Sequence, residues 1–478
     1  MPSVRAIVLR IALPALAVAA GLSITISGSS SAAFAGSDED QTIRVLRNTH
    51  SINYGEKITF ELELSAEGAP ITEIQALFKP DGPRVVSSYL YPDFQPGNNV
   101  SASFEIPTSG SDFFPPGIVL TVSYRIIDSE GQEFTTEPVR IEYLDPKFQW
   151  NRRTENQLTI VYHDRSDTEI DRLFAASNAR MPEIARVYGF ESEAEFKAVL
   201  INSSREADLA FPLTTEAARS GHTFIGFAFD EFDQFVLWGV DPQAFVHELA
   251  HLMFAEAVPS PIASPPAWLN EGLSVYFESN DTRNAQTRLR GANDEDDLMP
   301  IKNMNRVPGQ RRDITFFYGK SGAFVSFLID EFGAERISAL LEAIDRGTRI
   351  GDAVSDAYGF ELNNLDDVWT ARQFGLAEPQ LIPVSSGDAP AASQEPEPLD
   401  ENPDATEIQP EALVTPSPFV QLFKSESAAG EVLEESRWRT FGNWPVVATS
   451  LGAVAGLLFF ALRSLKNRGN NRRRSTSA

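Results

Sequence analysis

Residues 247–251 read "HELAH" and place two of the five histidines of this 478-residue chain four positions apart, on either side of a glutamate. With five histidines and 67 acidic residues, about 0.007 His-acid-x-x-His matches are expected by chance, so the spacing calls for a physical reason. Side chains four positions apart project from the same face of a helix, where two imidazoles can bind one divalent cation. The motif predicts a metal-binding helix; the alternative is an amphipathic helix whose histidines only pack or form hydrogen bonds.

The sequence before the motif predicts that this helix starts at Asp241. The carboxylate of Asp241 can cap free N–H groups, and Pro242 at the first helical position loses no hydrogen bond. The motif then lies about two turns into the helix. The residues beside the motif are uncharged, as expected of a buried metal-binding helix: Phe245, Val246, Leu249, Ala250, Leu252 and Met253.

A hydrolytic zinc site needs a third protein ligand and one open position for water. Residues 264–279 read "SPPAWLNEGLSVYFES", in which Ser264 and two prolines predict the start of a second helix. Glu271 lies twenty positions after His251, far enough for a second helix to run back towards the first. The carboxylate of Glu271 is therefore the candidate for the third ligand.

The pair "HELAH" and "WLNEGLSVYF" resembles the gluzincin zinc metallopeptidases, in particular their peptidase-MA-like domains and, more distantly, the aminopeptidase N family. The pattern of that family is HExxH, about 18 further residues and the glutamate of Asn-Glu-Gly; here nineteen residues lie between His251 and Glu271. The resemblance covers roughly residues 155–378. It implies that His247, His251 and Glu271 ligate one Zn²⁺ per chain and that Glu248 is the general base.

Residues 318–328, "YGKSGAFVSFL", resemble a Tyr-x-Lys-Gly-Ala segment of the same aminopeptidases at Tyr318 and Lys320. The resemblance implies that the hydroxyl of Tyr318 donates a hydrogen bond to the oxyanion during catalysis. The segment starts 47 residues after Glu271, closer than in those larger enzymes. The alternative is a packed tyrosine whose hydroxyl is satisfied by the core.

One part of the aminopeptidase pattern is missing from this chain. Those enzymes hold the free amine of the substrate with a Gly-x-Met-Glu-Asn strand before the zinc helix, and residues 221–242 contain no match. Aminopeptidase specificity is therefore not carried over, and an endopeptidase or another specificity is expected. Residues 235–239, "FVLWG", are the candidate edge strand that pairs with the substrate backbone.

Composition restricts the possible chemistry and partners. The chain has no cysteine, which excludes disulfides, Cys-ligated zinc, iron–sulfur clusters and thiol nucleophiles. The net charge of −27 argues against nucleic acid, since phosphate binding needs clustered lysine and arginine. One third of that charge, a net −9, lies in residues 379–443, which are acidic and rich in proline and predict a disordered stalk.

Both ends of the chain predict a protein that crosses a membrane once. Residues 1–35 have basic residues, an apolar run and an Ala-Phe-Ala ending, the pattern of a cleaved signal peptide; an uncleaved anchor is the alternative. Residues 444–462 carry no charge and can span about 28 Å as a transmembrane helix. The basic tail, residues 463–478, predicts a cytoplasmic end and leaves the bulk of the chain outside the cytoplasm.

Between these segments the sequence predicts two folded domains. Residues 36–148 alternate apolar and polar positions, as in "ITFELEL", "VSASFEI" and "IVLTVSYRI", and predict an all-β sandwich of immunoglobulin-like size. Residues 149–378 show strand-like runs before the motif and helical spacing after it, which predicts an α+β domain, zincin-like by the resemblance.

Together these features predict a membrane-anchored, extracytoplasmic zinc metallopeptidase, at a cell surface or in a periplasm. Its expected partners are a peptide or protein substrate and, through the C-terminal helix, a lipid bilayer. Two other functions remain open: a surface binding or adhesion protein with a zincin-like domain that does not cut, and a hydrolase of non-peptide amides.

Overall fold

The computed structural model describes residues 43–384, apart from residues 192, 213–224 and 279–282. The predicted signal peptide, transmembrane helix and basic tail, and nearly all of the predicted stalk, lie outside the described residues. None of the helices within the described part of the chain is long and apolar enough to cross a membrane.

The first described domain is built from strands. They are β1 Ile43–Asn53, β2 Lys57–Ala66, β3 Ile71–Pro80, β4 Ser88–Leu90, β5 Asn99–Pro107, β6 Val119–Asp128, β7 Glu133–Thr135 and β8 Val139–Glu142. One antiparallel sheet has the order β1-β2-β5, and the other has the order β4-β3-β6-β7 with β8 also paired to β6. The apolar positions of β2 and β6 point into a shared core, as their alternation predicts. The β-rich N-terminal domain is therefore confirmed.

The second domain begins with a five-stranded sheet of order β12-β13-β11-β10-β9. Its strands are β9 Asn151–Glu155, β10 Leu158–Tyr162, β11 Phe196–Ile201, β12 Gly226–Phe229 and β13 Gln234–Trp238. The three central strands are parallel, and β9 and β12 run antiparallel at the two edges.

Helices dominate the rest of this domain, most of them after the motif, as the sequence predicts. They are α1 Asp167–Tyr188, α2 Ser204–Ala210, α3 Pro242–Ala257, α4 Ala267–Glu278, α5 Arg283–Arg288, α6 Arg311–Phe332, α7 Glu335–Asp345, α8 Ile350–Tyr358 and α9 Leu362–Phe374. Helix α1 starts with a capping box between Ser166 and Glu169 and ends at Gly189, which takes the left-handed conformation. Its last residue, Tyr188, packs against α3 and donates to the carbonyl oxygen of Ala250 over 3.4 Å.

The prediction that residues 235–239 form the edge strand is wrong. Strand β13 is paired with β12 on one side and with β11 on the other, so it lies inside the sheet. Its run of buried residues is typical of a strand covered on both faces. The edge is formed by β12, which pairs with no other strand in the part of the chain that the structure describes.

Candidate active site

Helix α3 carries the motif and starts where the sequence predicts. The Oδ1 atom of Asp241 accepts hydrogen bonds from the backbone N–H groups of Gln243 and Ala244, each at 2.9 Å. This cap satisfies donors that the first turn of a helix cannot pair internally. His247 and His251 lie one turn apart on this helix, and both are buried. Their Nε2 atoms face each other at a distance of 3.0 Å.

Helix α4 supplies the third side chain of the cluster. Glu271 is buried, and its Oε2 atom lies 3.4 Å from Nε2 of His247 and 3.3 Å from Nε2 of His251. The next residue, Gly272, allows α6 to approach: a Cβ there would lie 2.5 Å from the carbonyl oxygen of Ser321. A glycine at this position therefore lets two helices pack closely behind Glu271.

The spacing of the three donor atoms fits a small divalent cation. Zinc–ligand bonds of about 2.0–2.1 Å in a tetrahedron place neighbouring donors about 3.3–3.4 Å apart. The separations of 3.0, 3.3 and 3.4 Å among His247, His251 and Glu271 are close to that edge length. These three residues are the group that can hold a metal ion within the described residues.

The outer nitrogens of both imidazoles are held by side chains of α4. The Nδ1 atom of His247 lies 2.7 Å from Oε1 of Glu278. On His251, Nδ1 lies 2.8 Å from Oδ1 of Asn270 and 3.2 Å from Oγ of Ser274. On His251, the acceptor Asn270 keeps the proton on Nδ1, so the lone pair of Nε2 faces the cluster. Beside His247, the Glu278 carboxylate lies in contact with Nδ1.

Glu278 is a functional candidate that the sequence reasoning missed. The spacing in the sequence could have indicated it: Glu278 lies seven residues, or about two turns, after Glu271, which places both carboxylates on the same face of α4. Arg288 of α5 pairs with this carboxylate, with its Nη2 atom 2.8 and 3.1 Å from the two oxygens. Asn284 also donates to it over 2.7 Å, so both oxygens of the carboxylate accept hydrogen bonds.

Burial and neighbouring charges shift the pKa values of His251 and Glu271 in opposite directions. Burial lowers the pKa of His247 well below its usual value, which keeps this imidazole neutral and able to donate its lone pair. Burial also disfavours a charge on His251, but the carboxylate of Glu271 outweighs burial and raises the pKa of His251 to about 9. For Glu271, burial opposes ionisation, yet the charge of His251 lowers the pKa overall. The Glu271 carboxylate therefore favours a positive charge on His251.

Glu248 lies on the same helix and packs against strand β12. Its carboxyl also interacts electrostatically with His251 and Glu271 of the donor cluster. A Cβ on Gly226 of β12 would lie 2.4 Å from Oε1 of Glu248, so only a glycine leaves room for this carboxylate. Burial raises the pKa of the Glu248 carboxyl well above its ordinary value, while the backbone N–H of Ala228 acts in the opposite direction. The Glu248 carboxyl beside strand β12 therefore takes up a proton more readily than an exposed glutamate.

The structure separates the two residues of the Tyr-x-Lys match. Tyr318 of α6 is buried, and its ring centroid lies 6.4 Å from that of His247 and 6.0 Å from the guanidinium carbon of Arg288. Lys320 instead forms an ion pair of 2.8 Å with Asp366 of α9, which also accepts from the backbone N–H of Ile301. Tyr318 is therefore beside the cluster, whereas Lys320 joins helices.

Fold and donor set together define a zinc-metallopeptidase type of domain, with His-Glu-x-x-His on one helix and a glutamate on the next. A family model described as the Peptidase MA superfamily matches residues 170–374. This match confirms that the domain is related to the gluzincin metallopeptidases, as the motif predicts. No curated protein sequence matches the chain.

Two solved structures illustrate the similarity. An M1 zinc metallopeptidase from Deinococcus radiodurans shares 12% sequence identity, over 72% of this chain and 97% of that chain, with a TM-score of 0.34. An aminopeptidase N family protein from Idiomarina loihiensis shares 10% identity, over 68% of this chain and 70% of that chain, with a TM-score of 0.28.

Proposed function

We propose that the protein is a zinc-dependent endopeptidase that hydrolyses peptide bonds outside the cytoplasm. The observation that carries the proposal is the cluster of His247, His251 and Glu271, whose donor atoms lie 3.0–3.4 Å apart. Glu248, on the same helix, is buried against β12, the edge strand among the described strands of this sheet. A site that only binds a partner has no use for a carboxylate in that position.

The residues around the cluster suggest how each takes part in the reaction. When zinc is bound at the three donors, it supplies electrophilic activation of the peptide carbonyl and of the attacking water. Glu248 accepts the proton of that water and then delivers it to the leaving amine. We assign to Tyr318, whose ring lies 6.4 Å from that of His247, the hydrogen bond to the oxyanion. Glu278 and Asn270 hold the imidazoles in the required tautomer.

Strand β12 is the proposed binding edge for the substrate. Among the described strands it is a short edge strand, with Gly226 packed against Glu248, so a peptide paired with its outer side would pass the general base. Pairing with backbone groups favours extended chains and places no demand on a free amine. The absence of the Gly-x-Met-Glu-Asn pattern in residues 221–242 agrees with cleavage within a chain.

We also propose that the peptidase is anchored to a membrane and faces outward. The proposal is supported by the export pattern of residues 1–35, the uncharged residues 444–462 and the basic residues 463–478. Residues 379–443 would then serve as an acidic stalk between the membrane and the folded domains. Protease protection of the C-terminal tail in intact cells tests this orientation.

The enzymatic proposal is tested with casein and internally quenched peptides on the zinc-loaded full-length protein. Cleavage is expected, and it should stop on addition of a zinc chelator and return with zinc. Glu248→Gln should retain zinc and lose cleavage, whereas Glu342→Gln, an exposed glutamate of α7, should behave as the unchanged protein. Cleavage that ignores the chelator or survives Glu248→Gln would show that another site is responsible.

A further inference from the structure

Two loops of the β-rich domain contact the hairpin formed by β12 and β13. In the loop at residues 113–117, the ring of Phe113 packs on Phe229 at the end of β12, with 6.0 Å between centroids. The carbonyl oxygen of Pro116 accepts a hydrogen bond of 3.1 Å from the side chain of Gln234, the first residue of β13. This loop therefore contacts both strands of the hairpin.

The loop at residues 81–84 contacts the turn between those two strands. Arg84 donates to the carbonyl oxygen of Asp230 in the turn over 2.8 Å. The same guanidinium donates to the carbonyl oxygen of Ala255 over 2.8 Å and to Oε1 of Glu256 over 2.9 Å, both at the end of α3. One side chain of the β-rich domain thus joins the hairpin turn to the helix that carries the motif.

The backbone of the loop at residues 81–84 also packs closely against the backbone of the hairpin turn. A Cβ on Gly82, whose φ is +156°, would lie 2.2 Å from the carbonyl oxygen of Glu231. Phe232, in the same turn, packs against the hydrophobic cores of both domains. The turn cannot shift without moving the loop or opening both cores, because close-packed interiors do not deform gradually.

The other end of β12 contacts Glu248, the proposed general base. Gly226 is three residues before Phe229 and lies against the Glu248 carboxylate. A strand of four residues therefore contacts the β-rich domain at one end and Glu248 at the other. A displacement of the hairpin turn would therefore shift the strand that is proposed to pair with the substrate backbone.

We propose that the β-rich domain is part of the substrate-binding apparatus, and that Arg84 is a positioning residue that fixes the β12–β13 hairpin relative to α3. The proposal rests on the proposed function, since it assigns β12 to the substrate backbone. It gives the first domain a role in binding extended peptides without contact between that domain and the reacting bond. The domain therefore affects how tightly the substrate binds, whereas zinc binding does not depend on it.

The test compares Arg84→Ala and Arg84→Lys with Arg125→Ala in the full-length, zinc-loaded protein. Arg125 pairs with Glu133 on the surface of the β-rich domain and serves as the control. Hydrogen exchange of residues 226–238 is measured by mass spectrometry, together with zinc content and with kcat and KM for quenched peptides. Arg84→Lys retains the charge but not the forked hydrogen bonds, and it decides the test if Arg84→Ala does not fold.

Arg84→Ala should exchange residues 226–238 about tenfold faster, because hydrogen bonds from a charged group are lost. Zinc content should be unchanged, and KM should rise about tenfold with kcat nearly constant, the pattern of lost ground-state binding. The exchange rate and KM of Arg84→Lys should lie between those of Arg84→Ala and of the unmodified protein. Arg125→Ala should change neither the exchange rate nor KM. Unaltered exchange and KM in an active Arg84→Ala variant would overturn the proposal. An unmodified protein that cleaves nothing would instead count against the proposed function, while the exchange result would still decide whether Arg84 fixes the hairpin.

Discussion

At the donor cluster, the outer nitrogen, Nδ1, of each imidazole contacts a side chain of α4. Glu278 lies behind His247 and Asn270 behind His251, at 2.7 and 2.8 Å from the Nδ1 atoms. An imidazole without such a partner can rotate or exchange its tautomer, and its lone pair is then lost to the metal. The metal affinity of this site should therefore depend on residues that do not touch the metal.

Glu278→Gln tests that dependence. An amide at this position keeps the shape of the side chain but loses the charge that pairs with Arg288 and lies 2.7 Å from Nδ1 of His247. Zinc affinity is expected to fall about 10–100-fold, measured by competition with a chromophoric chelator. Glu342→Gln should have native affinity, and a Glu278→Gln variant with native affinity would remove Glu278 from the metal site.

Tyr318→Phe separates the two roles considered for this tyrosine. If its hydroxyl stabilises the oxyanion, kcat should fall about 10²–10³-fold with little change in KM, since one oxyanion donor is typically worth about 2.7–4 kcal/mol. Steady-state kinetics on a quenched peptide provide the measurement. A variant with native kcat and a lowered melting temperature would show that Tyr318 only packs against the cluster.

At the scale of elements, the site depends on how closely β12 and α4 approach their neighbours. Glycines make both approaches possible: Gly226 faces Glu248, and Gly272 faces the backbone of α6. The helix cap at Asp241 and the histidine spacing were predictable because they depend on adjacent residues. The identity of the edge strand was not, since "FIGFAF" and "FVLWGV" are both apolar runs and only the sheet order shows which has a neighbour on each side.

Gly226→Ala tests the contact between the edge strand and the general base. A Cβ at this position would lie 2.4 Å from Oε1 and 2.7 Å from Cδ of Glu248, so the carboxylate must move. We expect kcat to fall about 10²-fold, the cost of a misplacement near 1 Å, with zinc still bound. The matched control is Gly351→Ala in α8, where a Cβ meets nothing within 4 Å. Native kcat in Gly226→Ala would mean that this contact has no part in catalysis.

At the scale of the whole molecule, the two described domains share contacts at the β12–β13 hairpin, and α6 and α9 are joined behind the site. The sequence predicted both domains from periodicity, but it could not predict the loops that connect them, because such contacts join residues far apart in the chain. Lys320 shows the same limit: its local match suggested the active site, whereas its partner Asp366 lies 46 positions later.

Lys320→Met tests the structural assignment of this lysine. The variant leaves Asp366 buried without its counter-charge, which typically costs about 3–5 kcal/mol of unfolding free energy. The exposed pair Arg346–Glu342 provides the comparison, and Arg346→Met should cost no more than about 1 kcal/mol. Urea unfolding of the two variants gives both values. Equal, small losses would show that the buried pair does not stabilise the fold.

Metal analysis of the purified full-length protein, combined with X-ray absorption at the zinc edge, tests most directly whether His247, His251 and Glu271 hold one zinc ion. About one zinc per chain is predicted, with nitrogen and oxygen ligands at about 2.0–2.1 Å. Glu248→Gln should retain the metal, and Glu271→Ala should lose most of it. A Glu271→Ala variant that binds zinc as tightly as the unchanged protein would contradict the three-residue site.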